Sequence, residues 1–378
     1  MLESSEAAKR LGVKLSSLYV YVSRGLIDSH RSPDGRRSLF RVEDVELLAS
    51  SRGGRRTRSR QATVITAVTQ ITDAGPAYRG MRATTLLGRH FEDVAELLWQ
   101  SGHADWFALL VQPPDGLPLL DRVRFALLFS ATLDPDRGGR GHAAVHSSAR
   151  RAIATVVASL ADGPAAGPSS DVIADQIATA MQPFGGRVAL SAAVDAALCL
   201  LADHEMATST RAARLAAGSR AGLHDAFAAG LGVLVGPLHG GAGEHVVGFL
   251  RRCSVSGVES TFEQLIAKEG RVAGFATTLY PSGDPRFAAL RPFVDDVLTD
   301  AERVLVDRVL GEARRRSLPE PTVDFALGAL VWSVGCNPAY ATAIFATARM
   351  AGWTAHYLEE LSEPPVRDRT VAAYATRS

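Results

Sequence analysis

The chain has 378 residues, enough for two or three domains, and 47% of them are hydrophobic against 21% charged. A net charge of +1 excludes a uniformly basic protein, and the apolar runs are too short to span a membrane or form a secretory signal. Three scattered cysteines, Cys199, Cys253 and Cys336, argue against a disulfide framework and a paired-cysteine metal site. The few cysteines fit a reducing cytoplasm. A mainly α-helical protein is predicted, because alanine is abundant and alternating β-branched runs are scarce.

Charge is distributed unevenly along the chain. Residues 1–60 carry 13 Lys or Arg and 7 Asp or Glu, a net +6, so the remainder carries −5. The stretch before Gln61 reads SSRGGRRTRSR, a composition typical of a linker. We therefore predict a head domain over residues 1–50 and a basic linker over residues 51–61, with partners for the head that differ from those of the body.

The head is predicted to contain two short helices and a hairpin. Ser4 or Ser5 can cap a first helix through EAAKRL, and a second helix covers about residues 15–23. A Pro-Asp-Gly turn signal at residues 33–35 predicts a β-hairpin. Two helices around a tight glycine-containing turn match the spacing of a helix-turn-helix.

In order, EAAKRLGV, LYVYVSRGLI, the turn with basic flanks and R-x-x-D-V resemble the winged helix-turn-helix of MerR-type and excisionase-type proteins. The resemblance implies that the second helix enters a DNA major groove while basic residues contact phosphates. The residues assigned to DNA on this basis are Lys14, Ser16, Ser17, Tyr19, Tyr21, Arg31, Arg36 and Arg37. The sequence leaves open the alternative of a small domain that assists folding or dimer packing.

The body shows helical apolar periodicity from Ala62 to about Leu361, broken by a Pro/Gly-rich stretch at residues 162–171 that predicts a surface loop. Four groups of motifs follow one another in the body. They are ADHEMATSTRAAR, GPLHGGAGEHV, AGFATTLYPSGDPRF, and PTVDFALGAL with ATARMAGWTAHYLEE. Each motif alone is a weak signal, because a single buried His or a single Asp after a turn usually has a structural role.

Together and in this order, the motifs resemble citrate synthase over roughly 310 residues. The resemblance implies a large helical domain, residues 62–240 and 336–378, and a small helical domain, residues 241–335. The site would lie in the cleft between them, and closing the cleft would exclude water. It also implies a homodimer whose sites are completed across the subunit interface.

The family joins the methyl carbon of an acetyl thioester to the ketone of oxaloacetate, with acetyl-CoA as substrate and no metal or permanently bound cofactor. Since the methyl proton is weakly acidic, a carboxylate base must act together with a donor on the thioester oxygen. By resemblance, Asp324 is the base and His239 is the donor that stabilises the enol. Glycines around His239 let the backbone approach the thioester, and Gly274 belongs to the loop assigned to CoA.

The dicarboxylate substrate needs fixed cations. Arg286 and Arg349 match the family positions that clamp its carboxylates, where arginine offers a bidentate fork, and His204 matches a further contact. A last arginine normally reaches into the site of the partner subunit, and the spacing leaves both Arg367 and Arg369 open for this role.

Simpler interpretations of some of these residues stay open. Asp324 could merely cap the helix that follows it, and Arg286 could form a surface ion pair with Asp284 or Asp295. Three further histidines are predicted to be non-catalytic, with the last interpreted as packing beside Trp353: His224, His245 and His356.

One expected catalytic histidine is missing. The family reads G-F-G-H-x-x-Y in the third motif, where the His polarises the ketone, and a gap-free match places Thr277 at that position. Loss of one such donor costs about 2.7–4 kcal/mol, roughly 10²–10³ in rate. Ala207 and Gly243 replace two family asparagines. The sequence therefore predicts either a slow synthase or a DNA-binding regulator whose impaired synthase body senses a dicarboxylate or an acyl-CoA.

Overall fold

The protein forms two compact units, Met1–Ile65 and Thr66–Ser378. The structure is a computed structural model, and it describes residues 1–11, 13, 15–23, 27, 29–32, 38–42, 44–45, 64–161, 172–181, 187–236, 239–275 and 279–365. The predicted basic linker and the predicted loop at residues 162–171 lie outside these residues.

The first unit contains two helices and a strand pair in the places predicted from the sequence, together with a third, N-terminal strand that was not predicted. The helices are α1 (Ser4–Arg10) and α2 (Leu15–Ser23), and the strands are β1 (Leu2–Glu3), β2 (His30–Arg31) and β3 (Ser38–Phe40). The strand order is β1-β3-β2, with Arg31 opposite Ser38 across the predicted hairpin. Leu18, Ile27 and Phe40 are buried in a core of this unit.

The predicted serine cap of α1 is wrong. Ser4 is already helical, and the N-cap residue is Glu3, without a side-chain cap. The Ser4 hydroxyl instead donates to the carbonyl oxygen of Ser38 at 3.2 Å, so it ties the helix to the sheet.

The second unit begins with a sheet, so the predicted helical periodicity is wrong at its start. The sheet is antiparallel and consists of β4 (Thr69–Thr72), β5 (Gly75–Tyr78) and β6 (Met81–Arg82), followed by a 3₁₀ turn at Ala83–Leu86. Gly75 closes the turn between β4 and β5 with φ of 98°, a backbone conformation that favours glycine.

From residue 91 onward the described residues are mostly helical, as predicted. The helices are α3 (Phe91–Trp99), α4 (Leu119–Leu133), α5 (His142–Ala158), α6 (Ile173–Met181), α7 (Arg187–Leu201), α8 (Thr208–Gly218), α9 (Leu223–Leu234), α10 (Ala242–Ser256), α11 (Val258–Glu269), α12 (Pro285–Asp295), α13 (Asp300–Arg315), α14 (Val323–Val334) and α15 (Tyr340–Ser362). Helix α15 is buried over nearly its whole length and packs against α3, α5, α7, α8 and α9. Its many small residues allow this close packing.

Candidate active site

A cavity of about 360 Å³ gathers most of the catalytic and substrate-binding residues predicted for the body. The charged and titratable side chains of its wall are His204, Glu205, His239, Arg286, Asp324 and Arg349. We call it the first cavity. Segments far apart in the chain therefore place two guanidinium groups, two imidazoles and two carboxylates around one space.

Arg349 is the most deeply buried of these cations. Its side chain is 1% exposed, and its Nε donates to the carbonyl oxygen of Leu201 at 3.0 Å. The guanidinium lies over the ring of Phe345, 4.8 Å from its centroid. Among the described residues, Nη1 has no hydrogen-bond partner. A buried, unpaired donor is costly, so this arrangement favours an anionic ligand.

Arg286 lies in the first turn of α12 and is held by the residue that caps the same helix. Its Nε and Nη2 bind the two carboxylate oxygens of Asp284 at 3.0 and 2.9 Å. Oδ2 of Asp284 also accepts from the backbone N–H of Val323 at 3.0 Å, next to Asp324. Asp284 therefore fixes a cation of the cavity and the start of helix α14 together.

The two histidines of the first cavity are held neutral. His204 Nε2 lies 2.8 Å from the hydroxyl of Tyr280, and burial, with the charges of Arg286 and Arg349, holds the pKa of His204 well below its ordinary value. Burial and the charge of Arg349 lower the pKa of His239 to about 4.

A serine orients the His239 ring. Nε2 of His239 lies 2.8 Å from Oγ of Ser209, and the ring packs edge-on against Phe345. If the serine hydroxyl donates to Nε2, the neutral imidazole carries its proton on Nδ1. That proton would then be available to an acceptor in the cavity.

Asp324 lies in the first turn of α14, but it is not the cap. The N-cap is Thr322, whose hydroxyl donates to Oδ2 of Asp324 at 3.3 Å. Oδ1 is buried and has no hydrogen-bond partner among the described residues. Burial raises the pKa of Asp324, while the charge of Arg286 opposes this shift. A carboxylate with few hydrogen bonds and a raised pKa is a stronger base than an exposed one.

A second cavity of about 450 Å³ meets the first at two residues, His239 and Asp324, which line both. Its other titratable wall residues are His245, Arg252, Glu269 and Arg271, and its apolar wall includes Phe249, Leu265 and Phe275. Gly274 also lines it, with φ of 84°, and a Cβ there would lie 2.9 Å from Cγ2 of Val246. The backbone at this point therefore requires glycine.

A larger cavity, of about 680 Å³, contains none of the predicted site residues. His90, Asp195 and Phe293 are among its wall residues. Size alone therefore does not locate the chemistry of this protein, and the converging charges of the smaller cavities do.

A family model for the C-terminal domain of citrate synthase matches residues 59–369. The chain belongs to the citrate synthase family. Among curated relatives, it is 31% identical over 188 residues to the glyoxysomal citrate synthase of Cucurbita maxima, a match that covers 47% of this chain and 36% of that protein. The chain thus spans about a third of the length of that citrate synthase.

A longer match covers most of the second unit. The 2-methylcitrate synthase of Mycobacterium tuberculosis strain H37Rv is 28% identical over 318 residues, 75% of this chain and 80% of that protein. The citrate synthase of Thermoplasma acidophilum, solved in a ternary complex with carboxymethyl coenzyme A and oxaloacetate, superposes with a TM-score of 0.63 at 22% identity. That superposition covers 84% of this chain and 96% of the other, and it shows the same fold.

The structure brings together five residues that the citrate synthase resemblance assigned: His204, His239, Arg286, Asp324 and Arg349. Thr277, Arg367 and Arg369 lie outside the described residues. The cap interpretation of Asp324 is wrong. The surface-pair interpretation of Arg286 is right only about its partner Asp284, since this pair is buried and Asp295 binds Arg291 instead.

The residues assigned to DNA are only partly described. Tyr19 is exposed, and its hydroxyl donates to Oγ of Ser4 at 3.2 Å, while Ser17 and Tyr21 are half-buried. The remaining residues of that set, or their side chains, lie outside the described part: Lys14, Ser16, Arg31, Arg36 and Arg37. Their role stays a prediction.

Sequence reasoning missed several residues that hold the site. Ser209 follows HEMA by two positions and Tyr280 lies in the third motif, and no sequence signal linked either residue to its partner. Asp284 was considered only as a surface partner of Arg286, and its bond to the N–H of Val323 was not predicted. The interpretation of His356 as packing is incomplete, because its ring is fully buried against Asp203 and Arg214.

The two asparagine replacements differ in their surroundings. Ala207 lines the first cavity and is the N-cap residue of α8. Gly243 instead packs against α15, where a Cβ would lie 2.9 Å from that of Ala341. Close helix packing therefore explains Gly243.

Neither a metal cluster nor a membrane span emerges from the described residues. They contain no group of three or more His, Cys, Asp or Glu side chains that could hold a metal ion. In the same part of the chain, no helix has the length and apolar character needed to cross a membrane.

Proposed function

We propose that this protein condenses an acyl-CoA with oxaloacetate. With acetyl-CoA as the substrate, the products would be citrate and CoA. The observation that carries the proposal is that His239 and Asp324 lie where an arginine-lined cavity meets a second cavity. To form a carbon–carbon bond between two substrates, the catalytic base and the donor that stabilises the oxygen must lie where the two binding cavities meet.

In this proposal the first cavity binds the dicarboxylate. Arg349 offers a buried, unpaired Nη1, and Arg286 supplies a second fixed positive charge. His204 is neutral and adds a hydrogen bond without adding charge. Arg367 or Arg369 of a second copy would complete the group of residues that binds the dicarboxylate.

The second cavity takes the thioester. Arg252, Arg271 and His245 suit the phosphates of CoA, while Phe249 and Phe275 suit apolar parts of the ligand. Oδ1 of Asp324 would remove the methyl proton, and Nδ1–H of His239 would donate to the thioester oxygen as negative charge develops there. The methyl carbon that has lost its proton then bonds to the ketone carbon of oxaloacetate, and the ketone oxygen gains the electron pair of its broken π bond and takes up a proton. Water then hydrolyses the thioester, which releases CoA.

Thr277 replaces the ketone-polarising His, so we expect slow turnover.

Helix α4 exposes Leu128, Phe129 and Leu133 along one side, with exposed fractions of 52%, 46% and 44%. We infer that this apolar stripe packs against a second copy in a homodimer. The division into a large and a small domain, with closure between them, belongs to the same proposal.

A DNA-binding regulator is the second candidate function. The net charge of +6 over residues 1–60 and the two helices beside a small three-stranded sheet in the first unit favour it. As a regulator, the protein would use its synthase body to sense the dicarboxylate or acyl-CoA. The body would no longer catalyse the condensation, because the ketone-polarising histidine is missing.

One experiment separates the two candidates. Purified protein is incubated with oxaloacetate and either acetyl-CoA or propionyl-CoA, and citrate or 2-methylcitrate is measured by mass spectrometry. Product that requires both substrates supports the synthase. Ligand binding by calorimetry without product, together with ligand-dependent DNA retention, would support the regulator.

A further inference from the structure

We propose that His356 is a positioning residue, which holds Asp203 so that His204 and Arg349 present the correct geometry to the dicarboxylate. The inference rests on the proposed function. Its starting observation is that His356 and Asp203 form a fully buried hydrogen-bonded pair, and that Asp203 directly precedes the cavity residue His204 in the chain.

Side-chain and backbone groups of helix α15 form hydrogen bonds with the C-terminal end of helix α7 and the residues that follow it. Arg349, Gly352 and His356 lie on one face of α15, at positions i, i+3 and i+7. Nε of Arg349 donates to the carbonyl oxygen of Leu201, and the N–H of Gly352 donates to that of Ala202, both at 3.0 Å. One helical turn further along, His356 reaches the next residue of the same segment. Three successive residues of that segment are thus fixed by one helix face.

The contact with Asp203 shapes the turn that carries His204. Nε2 of His356 lies 3.3 Å from Oδ2 of Asp203, and both side chains are fully buried. The same Oδ2 accepts from the backbone N–H of Glu205 at 3.0 Å, and Glu205 has φ of 55°, which is uncommon for a residue other than glycine. His204 lies between the two and faces the first cavity, so the Asp203 carboxylate stabilises the strained turn that directs it.

The surroundings of His356 determine which ring nitrogen donates. Nδ1 of His356 lies 3.2 Å from Nη1 of Arg214, and that guanidinium is held by Glu359 at 2.5 Å and by Glu360 at 2.7 Å. Because a guanidinium can only donate, Nδ1 must accept, and the proton of a neutral ring then lies on Nε2. His356 therefore donates to Asp203.

The test compares three substitutions on α15. His356→Leu removes the donor, and we expect the KM or Kd for oxaloacetate to rise at least about tenfold, while the KM for acyl-CoA changes less than about twofold. His356→Gln places an amide donor near the position of Nε2 and should restore most of the affinity. Trp353→Phe, on the same buried helix but packed against Phe227, should leave both constants unchanged.

A ligand-free measurement keeps this test separate from the proposed function. Hydrogen exchange of the amides of residues 202–206 should accelerate in His356→Leu and not in Trp353→Phe. If wild-type protein neither binds oxaloacetate nor forms product, the proposed function fails, and the exchange data alone decide the positioning role. Equal changes in both variants, or no change in His356→Leu, would overturn that role. Should His356→Leu not fold, Asp203→Asn is expected to show the same selective loss.

Discussion

The substitution Arg349→Met should separate ligand binding from folding. The guanidinium is 1% exposed, and its Nη1 is unpaired among the described residues, so the ligand-free protein gains little from this charge. Loss of a hydrogen bond to a charged group costs about 1.5–3 kcal/mol, which predicts a roughly 10- to 150-fold weaker Kd for oxaloacetate.

The stability of the same variant should change little. Methionine leaves the carbonyl oxygen of Leu201 without the Arg349 donor, a cost of about 1–3 kcal/mol, but it also removes the desolvation cost of a buried charge. We expect the unfolding free energy to stay within about 2 kcal/mol of wild type. Arg291→Met is the matched control, because Arg291 pairs with Asp295 and Asp307 away from the cavity wall.

Titration calorimetry with oxaloacetate and urea unfolding measure the two quantities. A variant that binds oxaloacetate as tightly as wild type would refute the assignment of Arg349. So would a loss of binding that is matched by an unfolding free energy lowered by more than about 4 kcal/mol, the size expected for breaking a buried ion pair.

Three further predictions concern catalysis, pH and the head. Thr277→His should raise condensation at least about tenfold, mainly in kcat, and steady-state kinetics that show a normal wild-type rate unchanged by the substitution would contradict it. The unfolding free energy should fall as pH is lowered from 6.5 to about 4, because His239 takes up its proton only on unfolding. Urea unfolding at a series of pH values should show a shallower slope for His239→Gln, and an unchanged slope would be evidence against the shift. Residues 62–378 alone should fold to a dimer with little change in thermal unfolding, since the two units are separately compact, and an insoluble or monomeric product would contradict this.

The motifs predicted the composition of the first cavity but not how its side chains are held. His239 and Asp324 were assigned by motif. The hydroxyl of Ser209 reaches His239, and the carboxylate of Asp284 reaches the N–H of Val323, through tertiary packing. No periodicity or spacing encodes such contacts. Asp203 shows the same limit, since its partner His356 is 153 residues away.

The helical content of the body was predictable because long amphipathic segments dominate it. The sheet at residues 69–82 was not, since its strands are two to four residues long and too short for a period-2 pattern. Gly243 departs from the asparagine of the family motif, but the structure places it where helix α15 packs closely. This departure therefore coincides with helix packing.

The role of Asp324 tests the central claim most directly. The measurement is the oxaloacetate-dependent release of CoA thiol from acetyl-CoA by Asp324→Asn and wild-type protein, with oxaloacetate affinity determined on the same samples. Asparagine keeps the shape of the side chain but cannot accept the methyl proton, so thiol release should vanish while oxaloacetate still binds through Arg286 and Arg349. Turnover that persists in the variant, or oxaloacetate binding that disappears with it, would contradict the assignment of Asp324 as the base.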